Sequence, residues 1–184
     1  LSLLSVVQRA EDIRVINNLT LYQFRPESMG GTFLKPDHFP MGPVTEMCDE
    51  SYHVQMGEEY RNDNHYGHIN LLGIKSLIQP VATGEGSGGP LTALDYPLNK
   101  SAIEEARRQG GIVVEAHNLG PFNASDVPVN AALGLSDSLD QLEPANYYRF
   151  LNSGFHIGLT NGSDHPARVV GAVRCYVHTD LPFT

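Results

Sequence analysis

Apolar residues recur along the chain at two periods, and each period predicts an element. Leu3, Leu4, Val7 and Ala10 fall at helical spacing, so the chain enters at once into a helix. A short β-branched run follows over 13–18, then a loop with Gly and Pro over 25–44. Residues 52–59 and 68–74 read as strands. The stretch 79–97 holds Gly84, Gly86, Gly88, Gly89, Pro90 and Pro97 and reads as a second loop. A helix is predicted over 102–109, opened by a Ser101/Glu104 capping box and stopped at Gly110-Gly111.

The second half repeats this grammar. GIVVEA (111–116) reads as a buried strand and 138–142 as a short one. A helix over 145–153 has Tyr147, Tyr148 and Leu151 on one side and Gly154 beyond its end. Two more strands are predicted over 157–160 and 173–177. Strands alternating with helices favour an α/β fold with largely parallel strands. With no internal repeat and no linker composition, 1–184 reads as one domain.

Chemistry-bearing side chains gather at the strand ends. Glu58 and Glu59 close the strand over 52–59, His117 follows Ala116, Asp164 follows Asn161-Gly162-Ser163, and His68 begins another strand. In barrel-like α/β folds the carboxyl ends of strands aim such groups at a common mouth. The period of two separates neighbours. Tyr52, Val54, Met56 and Glu58 share an apolar face, whereas His53, Gln55, Gly57 and Glu59 share the other, so Glu59 is the predicted lumen carboxylate. By the same count Glu115 points with His117, and Ile112, Val114 and Ala116 point away. Two imidazoles and two carboxylates suit zinc, manganese or iron. Such an ion lowers the pKa of its water and creates a nucleophile.

Charge narrows the partners. Twelve Lys+Arg against 21 Asp+Glu give −9, which argues against a nucleic-acid backbone, since that affinity comes from clustered cations. No run of eighteen apolar residues predicts a membrane span. Cys48 and Cys175 are too few for a disulfide scaffold or a thiolate zinc site. A small-molecule substrate is the partner expected of a hydrolase, with neither nucleic acid nor membrane. The chain opens with Leu1-Ser2-Leu3-Leu4 and no Met, without signal-peptide features, and reads as a fragment or processed chain.

These motifs resemble the CehA/McbA family of metallohydrolases, a branch of the PHP superfamily, over about residues 6–180. The resemblance rests on Gly57-Glu58-Glu59-Tyr60-Arg61, Gly67-His68-Ile69-Asn70-Leu71-Leu72-Gly73 and Ala116-His117. It continues through Ala131-Ala132-Leu133-Gly134, Tyr148-Arg149-Phe150-Leu151-Asn152-Ser153-Gly154-Phe155 and Gly162-Ser163-Asp164, and ends at Gly171-Ala172-Val173-Arg174-Cys175-Tyr176-Val177. It implies a distorted (β/α)7 barrel, a metal centre at the strand C-termini, and hydrolysis of ester, carbamate or amide, or phosphoester bonds. Glu59 then resembles the bridging carboxylate, and His68, His117 and Asp164 resemble further ligands. Arg174 resembles an arginine that positions a substrate oxygen or holds a loop by an ion pair. Arg61, His65 and Glu115 become substrate contacts.

The chain also departs from the family pattern. No Asp-x-His-x-His occurs, so the first barrel strand would lie upstream of Leu1. Asn17-Asn18 stand where Thr-Asp-His is common, which implies one or two divalent ions rather than three. His165 directly follows Asp164, a one-residue step that sends its side chain elsewhere.

Rival readings fare less well. Gly84-Glu85-Gly86-Ser87-Gly88-Gly89 matches G-x-G-x-x-G, but no helix starts at its third glycine and Pro90 and Pro97 interrupt the segment. Ser87 lacks the glycine two positions earlier that a nucleophile elbow needs. Asn-x-Ser/Thr triplets at Asn18, Asn99, Asn123 and Asn161 read as chance. A degenerate barrel used for binding or as a scaffold is the non-enzymatic alternative.

Overall fold

The structure is a computed structural model that describes residues 2–21, 40–62, 65–79, 98–117, 125–165 and 167–181. Most of the two predicted loops over 25–44 and 79–97, including the glycine motif at 84–89, lies outside the described residues, as does Asn123.

A seven-stranded mixed sheet carries the fold. Helix α1 (Ser2–Ala10) leads into β1 (Val15–Leu21). After β2 (Gly42–Pro43) and a short 3-10 turn (Thr45–Met47) come β3 (His53–Asn62) and β4 (Gly67–Leu72). Helix α2 (Asn99–Arg108), β5 (Ile112–Glu115), α3 (Val127–Ala132), β6 (Ser138–Asp140), α4 (Pro144–Asn152) and β7 (Gly158–Thr160) follow. The strand order is β1-β3-β4-β5-β6-β7, with β2 beside β3. β1 pairs with β3 in parallel, as do β5 with β6 and β6 with β7. β4 runs antiparallel to both its neighbours, and β2 antiparallel to β3. The α/β class expected from the sequence holds, but the sheet is mixed rather than largely parallel. The few residues between Asn62 and Gly67 are too short for a parallel crossover, so β3 and β4 form a hairpin.

The core lies on the α2 side of the sheet. Asn99, Ala102, Ile103 and Ala106 are the buried residues of α2, spaced to form one helical stripe. That stripe packs against Tyr60, Ile69, Leu71 and Val113, with Ile74 and Ile78 closing the edge. Each such apolar side chain, fully buried, contributes roughly 1.5–3 kcal/mol. A second cluster, Val44, Met47 and Val54, packs with Leu4 and Ile16 and binds α1 to the far end of β3. Gln8 is fully buried and donates its Nε2 to His53 O at 2.9 Å, which fixes the same junction.

Three local expectations need correction. Helix α2 begins at Asn99 after Leu98, with no side-chain cap, so Ser101 lies inside the helix and the capping box is not its start. Asn99 instead turns its amide inward to Asn62, Tyr66, Gly67 and Asp126. Helix α3 has no counterpart among the predicted elements, although Pro128 in its first turn and Gly134 just beyond it (φ 66°) are ordinary start and stop signals. Residues 173–177 form no strand; Tyr176 and Val177 are exposed. β-branched residues adopt a strand only beside a partner row of backbone groups, and none flanks this segment among the described residues.

Candidate metal centre

The hairpin is what brings His68 to the carboxylate. In a parallel sheet the start of a strand lies opposite the starts of its neighbours, far from their ends. Because β4 runs antiparallel, its second residue, His68, sits opposite Arg61, near the end of β3, and Asn70 sits opposite Glu59. Paired residues share a face, so Glu59, Arg61, His68 and Asn70 all project from the side away from α2. The opposite parity carries Glu58, Tyr60, Ile69 and Leu71, the core side. Gly57 helps to bring β3 and β4 this close: a Cβ there would lie 2.7 Å from the Leu71 carbonyl oxygen.

Glu59 is the hub. Its Oε1 lies 3.0 Å from His68 Nδ1, 3.7 Å from Arg61 Nε and 3.9 Å from His117 Nε2. The His68 and His117 rings meet edge to face, centroids 5.1 Å apart. Arg61 Nε–H donates to His68 Nε2 at 3.4 Å, which ties the ring in place beside Glu59. Burial would by itself raise the Glu59 carboxyl. Hydrogen bonds from His117 and His68, with the charges of His68 and Arg61, overcome it and hold the group at about 2.

One oxygen of Glu59 and one nitrogen from each of His68 and His117 lie within 4.8 Å of one another. A carboxylate that stays ionised beside two imidazoles is a donor set that fits zinc, manganese or iron. Asp164 lies beside this group, its Oδ2 3.9 Å from His117 Nε2 and its side chain 41% exposed. Its backbone takes φ 50° and its carbonyl accepts from Ala167 N at 2.7 Å, so Asp164 both makes a turn and faces the cluster. Asp tolerates that left-handed conformation better than most residues.

The remaining candidates fall elsewhere. Glu115 pairs laterally with Ile69 and Leu139, which places it on the core side, while Val114 shares the face of Asn70. The alternation expected for this strand is therefore reversed. His117 reaches the cluster because β5 ends at Glu115 and the chain bends at His117. Glu115 is 3% exposed and accepts from Ser136 Oγ at 2.6 Å. Burial, reinforced by the charge of Asp126 against the hydrogen bonds of Ser136 and Asn130, pushes its carboxyl up to about 7. Arg174 is engaged elsewhere: it donates to Gly171 O at 2.8 Å and to Glu11 O and Oε2, both at 2.9 Å. It holds a loop to the turn between α1 and β1. His65 is exposed in the β3–β4 turn, outside the three-residue group. His165 Nδ1 lies 3.2 Å from Arg168 O, likewise outside that group.

One neighbour has no place among the predicted site residues. Asp140 ends β6, and Ser138, two residues earlier, pairs with Val114. Asp140 therefore shares the face of Glu59 and His68. A polar–apolar–polar run, Ser138-Leu139-Asp140, is the available signal; a strand predicted to reach Leu142 hides the aspartate within it.

No protein-family model matches the chain, and no curated protein matches it. Among solved structures, it is similar to a two-domain protein containing a predicted PHP-like metal-dependent phosphoesterase from Bacteroides vulgatus. The identity is 17% and the TM-score 0.43, over 80% of this chain and 41% of that one. The chain thus spans less than half the length of that protein. No helix among the described residues is long and apolar enough to cross a membrane.

Proposed function

We propose that the chain is a metal-dependent hydrolase of PHP type, acting on an ester, carbamate or amide, or phosphoester bond of a small molecule. The observation that carries this reading is the convergence of Glu59, His68 and His117 from three different strands or strand ends. Glu59, His68 and His117 would hold one or two divalent ions, with Asp164 as a further ligand. When bound, the ion supplies Lewis acidity, making a nucleophile of water and stabilising negative charge on a carbonyl or phosphoryl oxygen. Glu59, held at about 2, stays ionised near neutral pH and so presents a permanent anionic donor. Arg61 holds the His68 ring through Nε and is a quarter exposed, so its guanidinium can also meet an anionic substrate group.

The test combines metal analysis with activity. The purified chain should retain at least one equivalent of zinc, manganese or iron, and a double His68→Ala/His117→Ala variant should lose it. Asp164→Ala should abolish hydrolysis of nitrophenyl esters or phosphates while leaving the circular dichroism intact. A folded wild-type chain that takes up none of these metals would overturn the reading, and full activity in Asp164→Ala would remove that residue from it.

A further inference from the structure

Asp140 has features that a strand end does not require. It is 7% exposed, and its Oδ1 is buried without a hydrogen-bond partner among the described residues. An unpaired carboxylate oxygen in such a place is costly unless charge of the opposite sign faces it. Burial pushes the Asp140 carboxyl up, and a side-chain hydrogen bond from Gln141 and then the charge of His117, at the end of the adjacent strand, oppose that rise. Backbone groups of Gln141 and Gly162 also hydrogen-bond to that carboxyl. Gly162 passes close by: a Cβ there would lie 3.5 Å from Asp140 Oδ2. Asp140 therefore lies against the segment that carries Asp164 two residues later. His117 and Asp164 themselves approach to 3.9 Å.

We propose that Asp140 is a positioning residue of the metal site, whose charge keeps the His117 imidazole turned toward the ion while its oxygens hold the Gly162–Asp164 segment against that imidazole. This rests on the metal-site reading above. Asp140 lies outside the group of ligand atoms that converge within 4.8 Å, so it acts through His117 and Asp164 rather than on the ion. Carboxylates that orient a ligating histidine raise its basicity and fix its ring.

The test is calorimetric titration of the metal-free chain with Zn²⁺ and with Mn²⁺, comparing wild type with Asp140→Asn. The asparagine keeps the size and an acceptor for the Gly162 N–H but removes the charge. Affinity should fall about 10- to 100-fold with the number of bound ions unchanged, and the melting temperature of the metal-free protein should not fall. Wild-type affinity in the variant would overturn the proposal and leave the metal site standing. Loss of an ion outright would also overturn it, making Asp140 a direct ligand. If wild type itself binds neither metal, the hydrolase reading fails and this inference with it. Should Asp140→Asn not fold, Asp140→Glu keeps the charge but displaces the carboxylate from Gly162 by one methylene. Its metal affinity should drop several-fold, and an unchanged value would overturn the proposal.

Discussion

Glu58 and Glu59 are neighbours on one strand, yet they live on the two faces of the sheet. On the α2 face, Glu58 is fully buried, and its Oε2 accepts a 2.8 Å hydrogen bond from Ile78 N. Desolvation dominates, opposed only in part by that bond, and pushes its carboxyl up to about 8. On the opposite face, Glu59 is also largely buried, but two imidazoles and a guanidinium surround it and hold it at about 2. Burial alone does not decide what a carboxylate can do. The company it keeps does, and a strand can supply both environments one residue apart. The α2 face stores a neutral acid that only packs and hydrogen-bonds; the other face presents a permanent anion beside nitrogen donors.

The sharpest way to break that comparison is to neutralise each acid in turn. Glu59→Gln should lower both metal retention and hydrolysis by roughly 10²–10³-fold or more, because it removes the anionic donor; elemental analysis and turnover would read it. Glu58→Gln should do neither. Its effect is on stability, and the sign follows from the raised pKa. The folded chain keeps the Glu58 proton up to about pH 8, whereas the unfolded chain releases it near 4.5. Folding therefore binds protons in that window, and wild-type stability from this group falls as pH rises from about 5 to 8. Glu115, raised to about 7, adds to the same slope. Glu58→Gln should flatten the decline, raising the melting temperature near pH 8 by about 3–8 °C and leaving it nearly unchanged at about pH 5. No gain at the higher pH would mean that Glu58 is not a buried neutral acid.

Arg61→Met comes next in size. It removes a charge from the ionised face alone, and should weaken binding of an anionic substrate by roughly tenfold through KM, with metal content retained. Arg174→Ala is the smallest. Its pair with Glu11 is partly exposed on both sides, so its loss should cost about 0.2–1 kcal/mol in denaturant unfolding and leave metal binding untouched. A loss of metal in this variant would return Arg174 to the site.

Much of this arrangement can be read from residue order, and the rest depends on direction. The period of two is enough to separate Glu58 from Glu59, because Val54 and Tyr60 mark the buried parity. The same count fails at Glu115, since in so short a strand Ile112-Val113-Val114 is apolar on both faces and alternation carries no information. The direction of β4 is a property of its pairing, and local composition does not encode it; that direction alone turns His68 toward Glu59. Asp140 is hard to pick out because strand ends blur by one or two residues, and its role depends on lying beside β5. The stretch 173–177 shows the converse limit: strong β-propensity, with no neighbouring strand among the described residues, forms no ladder there.

The clasp between Glu11 and Arg174 joins residues 163 positions apart in sequence. On a ribosome, Glu11 emerges first and must wait for all the intervening chain before its partner exists. Contacts of such separation form late, after the intervening chain has collapsed and the closure entropy has fallen. The segment around Arg174 is then among the last parts to settle and, with so few buried contacts of its own, among the first to lift away, exchanging its amide hydrogens well before the sheet opens.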